Sequence, residues 1–325
     1  MNLKDTTKNQ HFVAQVEQRF NAINPDAREE NQRIYAFDLI DRESYKVKIN
    51  PIGGVKISSS LSLGDLFSFD VLEGSADRYN FESLFQAYEE DIRNNTKSLM
   101  DKIATGEKDV KREVINIFAS KLMNFVRNPY SIAKVLNTFP SLANVYPTDP
   151  VHWQNFLRIL NGRKPHQKYL CEMLGVSEDD YKKWLSTIFL LLTPLESGKL
   201  NLFEQTIRNM YESPSSFVMI MIYTYKDKAC LLSDRGYSTP LDGYGMAFDF
   251  NLCSNAFARY VFGDINKIAP RSIPRWRLDE FIGMPRDACL SHIKDDLCML
   301  EKYNRNIVYQ CFRRVFCSST ECYGL

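Results

Sequence analysis

The chain has 325 residues, with 41 basic and 40 acidic side chains, 44% hydrophobic residues and 25% charged residues. These proportions exclude disordered, collagen-like and coiled-coil chains. A formal charge of +1 also argues against a protein that coats nucleic acid with a strongly basic domain.

The opening residues, Met1 to Gln10, are polar and show no secretion signal. The longest apolar run, Phe217–Tyr223, is far short of the roughly 20 residues of a membrane span. A cytoplasmic protein with no membrane partner is expected. Eight cysteines without a Cys-x-x-Cys pair, and four histidines, lack zinc-finger spacing and read as reduced thiols. Cys317 and Cys322 are either a reactive pair or plain exposed tail cysteines.

Period-two patterns dominate the first part. His11–Gln15 reads as extended, Arg33–Leu39 and Tyr45–Ile49 alternate as a hairpin, and Val55–Ser58 follows the Gly53-Gly54 turn. From Asn80 the period becomes helical. Phe81, Leu84, Phe85, Tyr88, Ile92, Leu99 and Ile103 share one face, and Lys108–Arg127 carries Ile115, Phe118, Leu122, Phe125 and Val126. Asn128-Pro129 stops that helix. Further helices are expected at Pro150–Leu160, Gln167–Leu174, Ser177–Leu192 and Leu200–Tyr211.

Strands return after Pro214. Ser216–Tyr225 and Ala229–Ser233 are expected to form a hairpin around Lys226-Asp227-Lys228, followed by strands Met246–Leu252 and Ala256–Phe262. The stretch Asp287–Phe316 reads as two helices broken near Asn304. The fold class is therefore α+β, with N-terminal and C-terminal strands in a shared, mostly antiparallel sheet, a central helical block and a C-terminal helix. One domain is expected, made of strands (1–78), a helical block (79–212), a second strand group (213–265) and a basic loop with the closing helices (266–325).

Several residues carry candidate chemistry. In an extended segment His11 and Gln15 face the same side, with neighbouring same-side residues about 7 Å apart, and histidine moves protons near neutral pH. The plain alternative is a strand-start histidine bonded to backbone. Glu82 and Glu89 share a helix face at about 10.5 Å, so one of them is expected to take part; Glu89 is the choice, beside core-facing Tyr88. Arg127 is either a guanidinium clamp for phosphate or a cation favoured by its helix C-terminus. Asp234 ends a strand in Ser233-Asp234-Arg235-Gly236, which is equally ordinary turn chemistry. Lys267, Arg271, Arg275 and Arg277 flank Trp276 with no acidic residue among them, a pattern suited to phosphates and stacked bases or to a solvated loop. The phosphate-loop, dinucleotide-binding, zincin and esterase-elbow motifs do not occur.

Taken in order, these segments resemble an uncharacterised bacterial family known only as a domain of unknown function. Its members open with His-(Tyr/Phe)-(Val/Ile)-Pro-Gln, here His11-Phe12-Val13-Ala14-Gln15, followed by Phe20. A strand like Arg33–Phe37, glutamates spaced as Glu82 and Glu89, and Arg127-Asn128-Pro129 follow in the same order. Ser233-Asp234, Phe250–Ser254 and Asn304–Phe316 resemble its later segments. Ala14 stands where that family has Pro, and Arg235-Gly236 where it has Asn-Pro. The resemblance implies that His11, Gln15, Glu89, Arg127 and Asp234 converge; it supplies no activity.

Two functions follow as expectations. The first is a hydrolase of phosphodiesterase or nuclease type, of the kind met among bacterial defence and toxin effectors. His11 would act as acid or base, Arg127 would stabilise phosphate, Gln15 would position substrate, and Asp234 with Glu89 would orient the histidine or hold one divalent metal. Nucleic acid or a nucleotide would be its partner, through Lys267–Arg277. The second is a non-catalytic interaction or regulatory protein, in which the same five residues form a buried hydrogen-bonded network.

Overall fold

A computed structural model describes residues 2–72, 77–194, 199–240, 246–270, 272–283 and 288–325. It is an α+β fold of mostly antiparallel sheets around a helical block. The N-terminal part gives β1 (Asn9–His11), α1 (Gln15–Arg19), β2 (Arg33–Asp41), β3 (Lys46–Ile49), β4 (Val55–Lys56) and β5 (Ser62–Gly64). Two-residue strands β6 (Asp70–Val71) and β7 (Arg78–Tyr79) pair with each other, as β1 does with β5. Ile57 and Ser58, expected to end the Val55–Ser58 strand, lie instead in the 3-10 turn Ile57–Ser59.

The helical block holds α2 (Glu82–Thr105), α3 (Lys111–Arg127), α4 (Ile132–Thr138), α5 (Pro150–Asn161), α6 (Gln167–Leu174), α7 (Glu178–Leu192) and α8 (Leu202–Glu212). Its axis is α7, buried along almost all its length from Tyr181 to Leu192, as an all-round apolar helix must be. Ser177 starts it by accepting the Asp180 amide, and Asn201 with Glu204 closes a capping box on α8. Two polar tips anchor α7: Trp184 Nε1 donates to the Val126 carbonyl at 2.8 Å, and the Tyr181 hydroxyl to that of Leu66 at 2.6 Å. No described helix is long and apolar enough to cross a membrane.

The remaining elements are β8 (Ser216–Thr224), β9 (Leu232–Ser233), β10 (Met246–Cys253), β11 (Ala256–Asp264), α9 (Ile265–Ile268), α10 (Arg275–Gly283), β12 (Cys289–Lys294), α11 (Leu297–Gln310) and β13 (Arg314–Cys317). One sheet runs β3-β2-β13-β9, with β4 on β2, so N-terminal strands do share a sheet with a C-terminal one. Arg314 and Asp38 form a cross-strand ion pair at 2.6 Å in it. The second strand group builds its own sheet, β10-β11-β8-β12, in which β12 runs parallel to β8.

Three local expectations change. Ala229–Ser233 does not hairpin with β8, because β11 and β12 occupy both edges of β8. Instead Leu231 N donates to Asn304 Oδ1 at 3.1 Å, and β9 pairs with β13. The tail is strand, helix, strand: Asp296 caps α11 by accepting the Met299 amide at 3.0 Å. Asn304 sits inside that helix without breaking it, since its side chain is engaged by Leu231 N, Ala229 O and Tyr323 O. Asp287, the expected start of that tail, lies outside the described residues. Nor is Lys267–Arg277 one loop, for α9 and the start of α10 form its two ends.

Candidate functional site

The chain leaves the extended state after His11. Glu17 N and Gln18 N both reach the Ala14 carbonyl, closing a helical turn, and Phe12, Val13, Ala14 and Val16 are all buried. Period two cannot hide four such residues, so His11 and Gln15 do not lie on one strand face as expected. The turn instead drives Glu17 into the core. There its carboxylate accepts from Lys121 Nζ at 2.5 Å and from Asn124 Nδ2 at 2.7 Å, with Glu17, Lys121 and Asn124 fully buried.

Asn124 passes the network on. Its Oδ1 accepts from Arg127 NH2 at 3.2 Å, and Arg127 NH1 donates to Glu89 Oε1 at 2.7 Å. Arg127 as a residue is only 1% exposed, and its guanidinium also lies over the Phe85 ring at 5.2 Å. Glu89 is the boundary of this network: it lines a polar cleft of about 480 Å³ with Gln15, Arg19, Gln86 and Arg93. Gln15 Oε1 accepts from Arg19 NH2 at 2.8 Å, which stiffens one wall.

His11 ends β1 and is 8% exposed. Its Nδ1 stands 3.0 Å from the Ser60 carbonyl. A carbonyl only accepts, so Nδ1 carries the proton and the neutral ring's Nε2 keeps a free lone pair. No hydrogen bond to Nε2 is present among the described residues. Burial pulls the imidazole down to about 4, with the charges of Glu89, Arg127 and Arg19 acting on it as well. Glu82 moves the opposite way. Burial pushes its carboxyl up to about 7, against the pull of Arg127, and Glu89 adds to the rise.

Among the described residues Nε of Arg127, Nε of Arg19 and Oε1 of Glu82 are buried without a hydrogen-bond partner, and so is Oε1 of Gln18, whose Nε2 shares the Ser60 carbonyl with His11. Buried donors and acceptors are seldom left unpaired. Two of them are donors belonging to guanidinium groups, which suits an anionic oxygen.

Asp234 does not join this group. Its carboxylate accepts the backbone amides of Phe312, Arg313 and Arg314 at 2.8, 2.7 and 3.0 Å. Complete burial raises its pKa, while those three amides pull it down. The tie to the helices is through its backbone, whose carbonyl accepts from Asn128 Nδ2 at 2.8 Å. Arg235 adds contacts to the Gln310 and Tyr130 carbonyls, so this turn is a structural hub. Gly236 fits it at φ +76°, where a Cβ would stand 2.9 Å from that of Asn124. Asp234 and Glu89 therefore hold different partners. No group of three His, Cys, Asp or Glu residues suited to a metal ion occurs among the described residues. The expected metal ligands do not meet, and no step is derived through a metal.

The basic segment is separate too. Arg275 bonds Asn266 Oδ1 at 2.9 Å and pairs with Asp279 at 3.0 Å, while Arg277 stacks on Trp276. Trp276 is 62% exposed, and Arg271 lies outside the described residues. No hydrogen bond or ion pair among the described residues joins this segment to His11.

The structure joins Arg127 to Glu89 on the cleft that Gln15 also lines, leaves His11 within reach of their charges but bonded only to the Ser60 carbonyl, and places Asp234 elsewhere. Motif reading missed Glu17, Lys121, Asn124 and Arg19. A signal for two of them did exist: Lys121, Asn124 and Arg127 step by three along a helix otherwise rich in apolar residues. Polar residues at that spacing inside an apolar stretch demand partners. No family model, no curated protein and no solved structure matches the chain.

Proposed function

We propose that the chain is a hydrolase of phosphate esters whose reacting centre lies at His11, Glu89 and Arg127, beside the cleft of Gln15 and Arg19. The observation that carries this reading is the fixed tautomer of His11: its Nδ1–H is held by the Ser60 carbonyl while Nε2 has no partner among the described residues. A buried imidazole prepared in this way is a base toward water. Nε2 takes a proton from the attacking water as its oxygen bonds to phosphorus. The Nε–H groups of Arg127 and Arg19, unpaired among the described residues, donate to the phosphoryl oxygens and offset their charge. Glu82, protonated below about pH 7, returns a proton to the departing ester oxygen. One water and one ester give one acid and one alcohol.

This scheme needs His11 neutral and Glu82 protonated, which confines activity to the window between about pH 4 and pH 7. The test uses bis(p-nitrophenyl) phosphate with the wild type and His11→Gln. Turnover is expected to fall by about 10²–10⁴-fold in the variant, with its thermal midpoint at pH 7 nearly unchanged. A wild type that releases no nitrophenol anywhere in that pH window sinks the reading.

The second reading, a non-catalytic interaction protein built on a buried network, is favoured by a different observation: Glu17, Lys121 and Asp234 are enclosed and already bonded. Under it His11→Gln lowers the thermal midpoint and there is no turnover to lose. Nucleic acid as the substrate draws its support from the exposed Trp276 and Arg277 alone.

A further inference from the structure

We propose that the cleft between α11 and the β2–β3 turn binds a nucleoside monophosphate. Along α11 the apolar residues Leu300, Tyr303, Ile307 and Val308 are buried, which turns Lys302, Arg305, Asn306 and Tyr309 to the opposite side. Those four recur at i, i+3, i+4 and i+7, so they form one continuous stripe. The stripe walls a cleft of about 340 Å³, closed by Tyr45 from the turn and by Arg259 from β11. None of these residues lines the cleft of Gln15 and Glu89.

The walls are held from outside the cleft. Asn306 Nδ2 donates to the Ser238 hydroxyl and the Thr239 carbonyl at 3.3 and 3.1 Å, and its Oδ1 accepts from Gln310 at 2.7 Å. Arg42 donates to the Tyr309 and Cys311 carbonyls, so a cation already meets the negative end of α11. Tyr45 is the odd residue. It takes φ +55° next to β3, a place where a bulky side chain is strained and glycine or asparagine is usual. Such strain persists where tertiary contacts impose it. Here Tyr45 packs on the apolar cluster around Tyr303 and Ile307, and its ring lies 5.4 Å from the Arg305 guanidinium.

Charge decides the sign of the ligand. Among the described residues no acidic side chain lines the cleft, while Arg259, Lys302 and Arg305 do. Arg259 is neutralised by Asp249, through bonds of 2.7 and 2.9 Å, and forms a fixed floor. Arg305 engages the Gly324 carbonyl through Nε at 2.7 Å and Glu301 through NH2 at 2.8 Å. Its NH1, and the Lys302 ammonium one turn earlier, have no partner among the described residues. Two cationic donors one helical turn apart suit the terminal oxygens of a phosphate. The phenol rings of Tyr45 and Tyr309 offer π surface to a flat base. The volume lies at the small end of ligand-sized cavities, which favours a mononucleotide over a dinucleotide.

The experiment titrates the full chain with AMP by calorimetry at pH 8 and low salt, with inorganic phosphate and adenosine as separate arms. That pH lies above the window of the proposed hydrolysis, so binding is read apart from turnover and either reading can fail alone. One AMP is expected to bind per chain, about tenfold or more tighter than phosphate or adenosine. Lys302→Gln and Tyr45→Gly are each expected to weaken AMP by about tenfold, with the far-UV spectrum of the wild type. Glycine relieves the backbone at position 45, so affinity lost there reports the missing ring. The proposal is overturned if AMP does not saturate the chain below about 1 mM. It is equally overturned if phosphate or adenosine alone binds as tightly as AMP, or if Lys302→Gln binds AMP as the wild type does, which places the nucleotide elsewhere. Should Tyr45→Gly not fold, the variant at exposed Lys302 decides.

Discussion

Two buried carboxylate sites can be set side by side in this molecule. At the turn after β9, Asp234 faces three amides, and its neighbours Asn128 and Arg235 tie the backbone down as well. Where α1, α2 and α3 meet, Glu17 is equally buried, but the chain of bonds that starts on it ends at Glu89 on an open cleft. In it Nε of Arg127, and in its surroundings Nε of Arg19 and Oε1 of Glu82, find no partner among the described residues. Burial is common to both places. What separates a joint from a candidate site is whether every polar valence is already filled.

The comparison breaks most visibly if a charge is removed from the enclosed end of the network. Lys121→Met leaves the Glu17 carboxylate buried without its counter-charge, bonded by Asn124 alone, and is expected to cost about 3–5 kcal/mol in urea unfolding. A loss below about 1 kcal/mol would mean that the pair is far more solvated than its burial implies. Asp234→Asn keeps the shape but loses one strong acceptor for the amides of 312–314. A loss of about 1–3 kcal/mol is expected, with turnover per folded molecule unchanged; a selective loss of turnover would return Asp234 to the site.

The smallest effect sharpens the open end of the comparison. The Glu82 carboxyl sits near 7 in the folded chain, above its ordinary 4.5. Its folded form therefore holds a proton that the unfolded chain releases, so stability falls as pH rises from about 4.5 to 7. Glu82→Gln is expected to flatten that slope and raise the thermal midpoint at pH 8. His11 works in the other direction: with its folded value near 4 and ordinary value 6.5, its contribution is full above 6.5 and fades as pH falls toward 4. In His11→Gln the midpoint measured across that range is expected to lose this acid-side decline.

The sequence alone carried the long elements. Helices α2, α3 and α7 and strand β2 were legible because their apolar residues recur at 3.6 or two residues, and a core enforces those periods wherever it lies. Short or doubly constrained segments were not. The β12 strand is held by its ladder to β8, Asn304 is kept helical by three distant partners, and Gln15 is turned by the packing of Phe12 to Val16. His11, Glu89 and Arg127 were legible as residue types, yet Asp234 carries the same type and faces elsewhere.

Periodicity, caps and composition are local, so the chain by itself determined an α+β class, its main helices and the polar residues that interrupt apolar faces. The meeting of Glu17 with Lys121, separated by 104 residues, was decided only by tertiary structure. So was the division between Asp234, whose acceptors are filled, and the Arg127 guanidinium, one of whose donors has no partner among the described residues. A hydrogen bond is satisfied by atoms in space, and no spacing along a sequence records which atoms those will be.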